Sequence, residues 1–143
     1  MNLMPGIEAT ASALNAEKMR MDLIGQNIAN ANTTRGPDGK PYQRQLVAFE
    51  SKLIELGQRQ DGSVATGQAV AIRDIRADPS PGPTVYNPGH PDADEKGMVR
   101  MPNVNLTHEM VDMIAASRSY EANLQVVRTS KQMAEQALRI ARS

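Results

Sequence analysis

The chain has 143 residues, no cysteine, no tryptophan, and equal numbers of basic and acidic side chains, 16 of each. Charge balance gives no support to nucleic-acid binding, which usually shows a basic excess. The lack of cysteine excludes disulfides and thiolate metal sites. Tyr42, Phe49, Tyr86 and Tyr120 are the only aromatic residues, too few to anchor a large globular core, whereas nine methionines and many alanines suit adaptable helix packing. No apolar run approaches the roughly 20 residues that span a bilayer. Met1 to Ala9 lacks both a basic stretch and a continuous apolar run, so no cleaved secretory signal is expected.

Breakers divide the chain into three. Eight of the nine prolines lie between Pro37 and Pro102, and eight of the ten glycines between Gly36 and Gly97. The ends are therefore expected to be helical and the middle irregular. The first helix is expected from Ile7 to Ala31, begun by Pro5 and Gly6 and roughly 37 Å long. Its apolar seam runs Ile7, Ala11, Leu14, Lys18, Met21, Gly25, Ile28, broken at Lys18 and Gly25, with Leu23 and Ile24 widening it. Asn30, Asn32, Thr33 and Thr34 end it by competing for backbone hydrogen bonds.

The middle segment is expected to be loop-rich with two strands, Tyr42–Glu50 and Gln68–Ala77, joined by a turn region from Gly57 to Gly67. Asp78-Pro-Ser-Pro-Gly-Pro83 then stops regular structure.

The last helix is expected from Thr107 to Arg142, roughly 54 Å, with Thr107 as its N-cap and Leu106 against Val111 as a hydrophobic staple. Its positions Met110, Met113, Ser117, Tyr120, Leu124, Val127, Lys131, Ala134 and Leu138 advance by three and four, and seven of these nine are apolar. One helix cannot bury such a stripe, so a partner must lie alongside. Ser117 reads as a small residue allowing close approach. Lys131 reads either as a stem packed on the seam with its ammonium in solvent, or as a buried polar register-setter. Such length favours a coiled coil or fibre over a compact enzyme.

Little in the sequence resembles a reactive site. Asp92, Asp94 and Gly97 match three positions of a calcium loop, but Lys96 and Asn103 occupy positions that need oxygen-donating acids or amides, so the match is rejected. His108-Glu109-Met-Val-Asp112 begins like a zinc-protease helix, yet Asp112 stands where the second histidine belongs. A site built from His90, His108 and Asp112 is the remaining metal reading. No glycine-flanked nucleophile and no phosphate loop is present. No catalytic, cofactor-binding or metal residue is therefore assigned.

Arg20-Met-Asp-Leu-Ile-Gly-Gln-Asn-Ile-Ala-Asn-Ala-Asn-Thr-Thr34 resembles the N-terminal signature of bacterial flagellar rod and hook axial proteins. Val85-Tyr-Asn-Pro-Gly-His-Pro-Asp-Ala-Asp94, Met101-Pro-Asn-Val-Asn105 and Glu109–Asn123 narrow the likeness to the proximal-rod type of the basal body. Asn87, where Asp is frequent, and Met98, where an aromatic is common, depart from that pattern. The resemblance implies a mainly α fold with a small β/loop region. Long N- and C-terminal helices would form an antiparallel coiled-coil-like pair, linked by a Gly/Pro-rich middle with short strands. Residues 1–34 and 106–143 would be the inner-tube helices, and residues 35–105 the β/loop-rich middle.

It implies further an axial structural subunit of the periplasmic rod, exported without a cleaved signal by the flagellar type III apparatus and polymerised to transmit torque. Partners would be other copies of the chain, other rod proteins, membrane-ring/rod junction proteins and the export apparatus, with no nucleic acid and no small-molecule substrate. Subunit packing is assigned to Ile7, Leu14, Met21, Ile28, Met110, Met113, Tyr120, Leu124, Val127 and Leu138. Two other readings stand beside this one. A coiled-coil adaptor without a flagellar role explains the helices but not the two proline-rich blocks; a metal-dependent hydrolase needs the histidine site above.

Overall fold

A computed structural model describes residues 4–58 and 64–142, and the side chains of residues 8–55 and 66–140. Two helices, α1 (Met4–Ala29) and α2 (Leu106–Arg142), enclose four strands in sequence: β1 (Gln45–Gln58), β2 (Val64–Ala77), β3 (Thr84–Tyr86) and β4 (Met98–Arg100). The helices pack against each other, and α1 also lies against the β1–β2 hairpin.

The helices run antiparallel. Asn27 near the end of α1 meets Glu109 in the first turn of α2, while Arg20, two turns earlier, meets Asp112. Small residues permit the approach: Ala16 and Ala116 are buried, and a Cβ placed on Gly25 would lie 4.0 Å from the Met113 methyl. Leu23 and Ile24 are the other buried apolar side chains described on α1, which packs on both α2 and the hairpin. At about 1.5 Å per residue the 37-residue α2 is roughly 55 Å long, and the 26-residue α1 is roughly 39 Å. The longer helix keeps a large apolar surface uncovered: Met110, Val111, Ile114, Val126, Met133 and Leu138 are all exposed.

The start of α2 differs from the sequence expectation. Asn105, not Thr107, is the cap: its Oδ1 accepts from the Thr107 and His108 amides at 3.0 and 3.2 Å. Asparagine ahead of the first turn satisfies two donors that have no intrahelical acceptor. With Asn105 as the cap, Leu106 is the first helical residue rather than the one before the cap, so Leu106 and Val111 are not placed as a staple.

The hairpin also departs from its expected spans: β1 begins at Gln45 rather than Tyr42 and runs past Glu50, and β2 begins before Gln68. Both strands have 14 residues, pairing from Gln45 with Ala77 to Gln58 with Val64. Gly57, Gln58 and residues Val64 to Gly67 are thus strand rather than turn; residues 59–63 lie outside the described residues. Direct pairing of Val47 with Ile75 and Phe49 with Ile72 puts their side chains on one face, alongside Leu53 and Val70. Register shifts occur between Ala48 and Phe49 and near the tip.

The proline-rich segment holds a second, three-residue pairing that sequence periodicity did not reveal. Thr84, Val85 and Tyr86 pair with Arg100, Val99 and Met98, and Val99 is buried beneath. The loop between them closes on Asp94, whose Oδ1 accepts from the Lys96 and Met98 amides. Gly97 has φ +73°, and a methyl placed there would press on Pro88 and Tyr86 at 3.0 Å, so glycine is required twice over. Gly82 permits a closer approach still: a Cβ would stand 1.9 Å from the Met101 carbonyl oxygen.

Candidate subunit-packing site

The interior of the helix pair holds two polar side chains that the seam did not predict. Glu109 is 0% and Asn27 1% exposed. Glu109 is delivered by the first turn of α2, and its two oxygens have separate partners. Oε1 accepts from Arg44 Nε at 2.5 Å and Oε2 from Asn27 Nδ2 at 3.0 Å. Arg44 stands just before β1 and also reaches Asp112 at 3.3 Å, while Arg20 approaches Asp112 from α1 at 3.7 Å. An ionised carboxylate so deeply buried requires this pairing.

Asn27 is equally committed. Its Oδ1 accepts from the Tyr42 hydroxyl at 2.9 Å and the Gln45 amide at 2.8 Å. Burial, with the Glu109 charge adding to it, raises the Tyr42 phenol above its ordinary range, so the hydroxyl stays a donor at neutral pH. These interactions bind α1, the entry to β1 and α2 into one polar knot. Its geometry positions elements; it offers no nucleophile and no open coordination position.

The other candidate residues are occupied structurally. Asp92 accepts from Thr34 Oγ1 at 2.8 Å and pairs with Arg35 at 2.6 Å, tying the segment after α1 to the proline-rich loop. His90 Nδ1 accepts from the Asp92 amide, and His108 is exposed at the start of α2. Among the described residues no three His, Asp or Glu side chains cluster as metal ligands, so His90, His108 and Asp112 do not form such a group. Lys131 is 77% exposed beside Glu135, so within the single chain it is not a buried register-setter; among the described residues the buried polar side chains are Asn27 and Glu109.

The residues assigned to subunit packing fall into two sets. Leu14, Met21, Ile28, Met113, Tyr120, Leu124 and Val127 are half-buried on the helices, whereas Met110 and Leu138 are exposed. Ile7 lies on α1, its side chain outside the described residues. The interior line on α2 runs Glu109, Met113, Ala116, Tyr120, Asn123, Val127, Ser130 and Ala134, all buried or half-buried. It shares Met113, Tyr120, Val127 and Ala134 with the line read from the apolar residues and departs from it at Glu109, Ala116, Asn123 and Ser130. Polar residues at Glu109, Asn123 and Ser130 concealed it, and the three-four spacing through them was the available signal.

Comparison with known proteins gives the same picture at both ends. Residues 7–37 match the family described as flagella basal body rod protein. Residues 95–140 match the C-terminal family of the flagellar basal body rod FlgEFG proteins. The flagellar basal-body rod protein FlgC of Borreliella burgdorferi is 42% identical, with 98% of both chains covered. The FlgC proteins of Yersinia enterocolitica and Bacillus subtilis are 42% and 38% identical, covering 93% and 95% of this chain and 93% and 96% of their own. Together these show a structural subunit rather than an enzyme: the chain belongs to the FlgC family of flagellar basal-body rod proteins.

Proposed function

We propose that this rod subunit polymerises through its terminal helices, with α1 and α2 forming an antiparallel coiled-coil-like pair in an inner tube and residues 35–105 making lateral contacts. The observation that carries this reading is the surplus apolar surface of α2. After α1 has packed, Met110, Val111, Ile114, Met133 and Leu138 are still exposed, and burying one such side chain contributes about 1.5–3 kcal/mol. Repeated heterologous contacts extend a filament instead of closing a dimer. They would hold a torque-bearing rod without any single strong bond.

In this reading Met110 and Leu138 meet neighbouring subunits, while Leu14, Met21, Ile28, Met113, Tyr120, Leu124 and Val127 serve the pair within a subunit and its flanks. Ile7 would extend the inner contact. Partners are further copies, other rod proteins and the proteins at the membrane-ring junction. The subunit acts in the periplasmic rod after export by the flagellar type III apparatus without a cleaved signal. Because the chain has no cysteine, single substitutions Met110→Cys and Leu138→Cys give clean probes. Each cysteine should be alkylated readily in the isolated chain and be protected in assembled basal bodies; equally fast alkylation in the two states would contradict the reading.

A further inference from the structure

The dipeptide Arg44-Gln45 is gripped on both sides by asparagine side chains from distant parts of the chain. Asn27 pairs with both main-chain groups of Gln45, accepting from its N–H at 2.8 Å and donating to its carbonyl at 3.0 Å, as a neighbouring strand would. Asn103, in the approach to α2, accepts from the Arg44 N–H at 2.7 Å. Its Nδ2 donates to the carbonyls of Asp78 and Ser80, just past the end of β2. The Asp78 amide closes the circuit on the Arg44 carbonyl at 2.7 Å.

Both strands of the hairpin are thus fastened at their base, and the Arg44 side chain projects from that base to Glu109 and Asp112. Glu109 is wholly buried, so the helices cannot close at this end with the carboxylate unpaired. Arg44 reaches it only when the hairpin base is seated. Each event is a condition of the other.

We propose that the Asn27–Arg44–Glu109 cluster couples hairpin seating to the closure and register of the helix pair. Such coupling is reciprocal. A partner that displaces the hairpin base loosens the facing ends of α1 and α2, and a partner that grips the helices fixes the hairpin. The device acts within one subunit and holds whether or not the chain polymerises as read above.

Amide hydrogen exchange on the isolated full-length chain tests the coupling, with Asn103→Ala as the perturbation. Exchange should accelerate about tenfold or more at Arg44 and Gln45 and, beyond the site of substitution, at Asp112 to Ala116 on α2. Glu109→Gln keeps the side-chain shape and removes the charge that Arg44 meets. In that background Asn103→Ala should still loosen Arg44 and Gln45 but change α2 exchange several-fold less. Unaltered α2 exchange in Asn103→Ala overturns the proposal, as does an equal α2 response in the two backgrounds. Asn103→Asp retains the acceptor for Arg44 but sets a carboxylate oxygen against the Asp78 and Ser80 carbonyls in place of the donors. It supplies the same comparison between the two backgrounds if the alanine variant does not fold.

Discussion

Asn27 and Glu109 stand 82 positions apart in the chain, yet the Asn27 amide donates to the Glu109 carboxylate across 3.0 Å inside the helix pair. A Leu–Leu contact at that level would tolerate sliding by a turn. A buried amide against a buried carboxylate does not, because any other register strands both groups without partners.

Removing the cation exposes that dependence. Arg44→Leu leaves Glu109 buried with only the Asn27 amide, and urea unfolding should show a loss of about 3 kcal/mol, the lower part of the range for breaking a buried pair because Arg44 is partly exposed. The double variant Arg44→Leu with Glu109→Leu should recover most of it. A single variant as stable as the parent chain would deny that the pair is required.

The Tyr42 phenol gives a pH signature. Burial and the Glu109 charge raise its pKa from 10.0, so below about pH 10 the group is neutral in both folded and unfolded chains and its stabilisation is complete. As pH rises further the unfolded chain loses its proton first, and this stability is lost as pH passes through the folded value. Tyr42→Phe should cost about 0.5–1.5 kcal/mol at pH 7 through the lost bond to Asn27. It should also flatten the alkaline fall in stability; identical slopes above pH 10 would contradict this.

Helix capping distinguishes two neighbouring residues. Asn105→Ala removes the acceptor for the Thr107 and His108 amides and should destabilise by about 1 kcal/mol. Thr107→Ala should change stability by no more than about 0.5 kcal/mol, as for an ordinary surface position. Thermal melts of the two variants decide between the caps.

Glycine requirements can be ranked in the same way. Gly82→Ala would push a methyl to 1.9 Å from the Met101 carbonyl, which is backbone and cannot swing aside. Its cost should reach at least the roughly 1–3 kcal/mol typical of overpacking. Gly89→Ala meets nothing nearer than 3.8 Å and should be far milder. Equal melting temperatures for the two would contradict the close approach.

Periodicity and breakers made the two terminal helices legible, since a three-four spacing and the absence of proline are local properties. The hairpin was only partly so. Lys52 and Glu55 interrupt β1 with exposed polar side chains, and Gly57 and Gly67 read as turns although both lie in strands. The polar knot was hidden for another reason. Asn27 and Glu109 are ordinary surface residues by type, and only tertiary pairing with Arg44 and Gln45 turns them into interior ones. The apolar stripe announced that a helix must lie alongside α2, as α1 does, but it ran over exposed residues as well as covered ones.

The central claim, assembly through the uncovered apolar surface of α2, is tested most directly by Leu138→Asp. Leu138 is 65% exposed, so the isolated variant should melt within about 0.5 kcal/mol of the parent chain. Its incorporation into basal bodies, measured against the parent chain in the same purified rods, should be lost along with swimming. Normal incorporation and normal swimming would contradict the account.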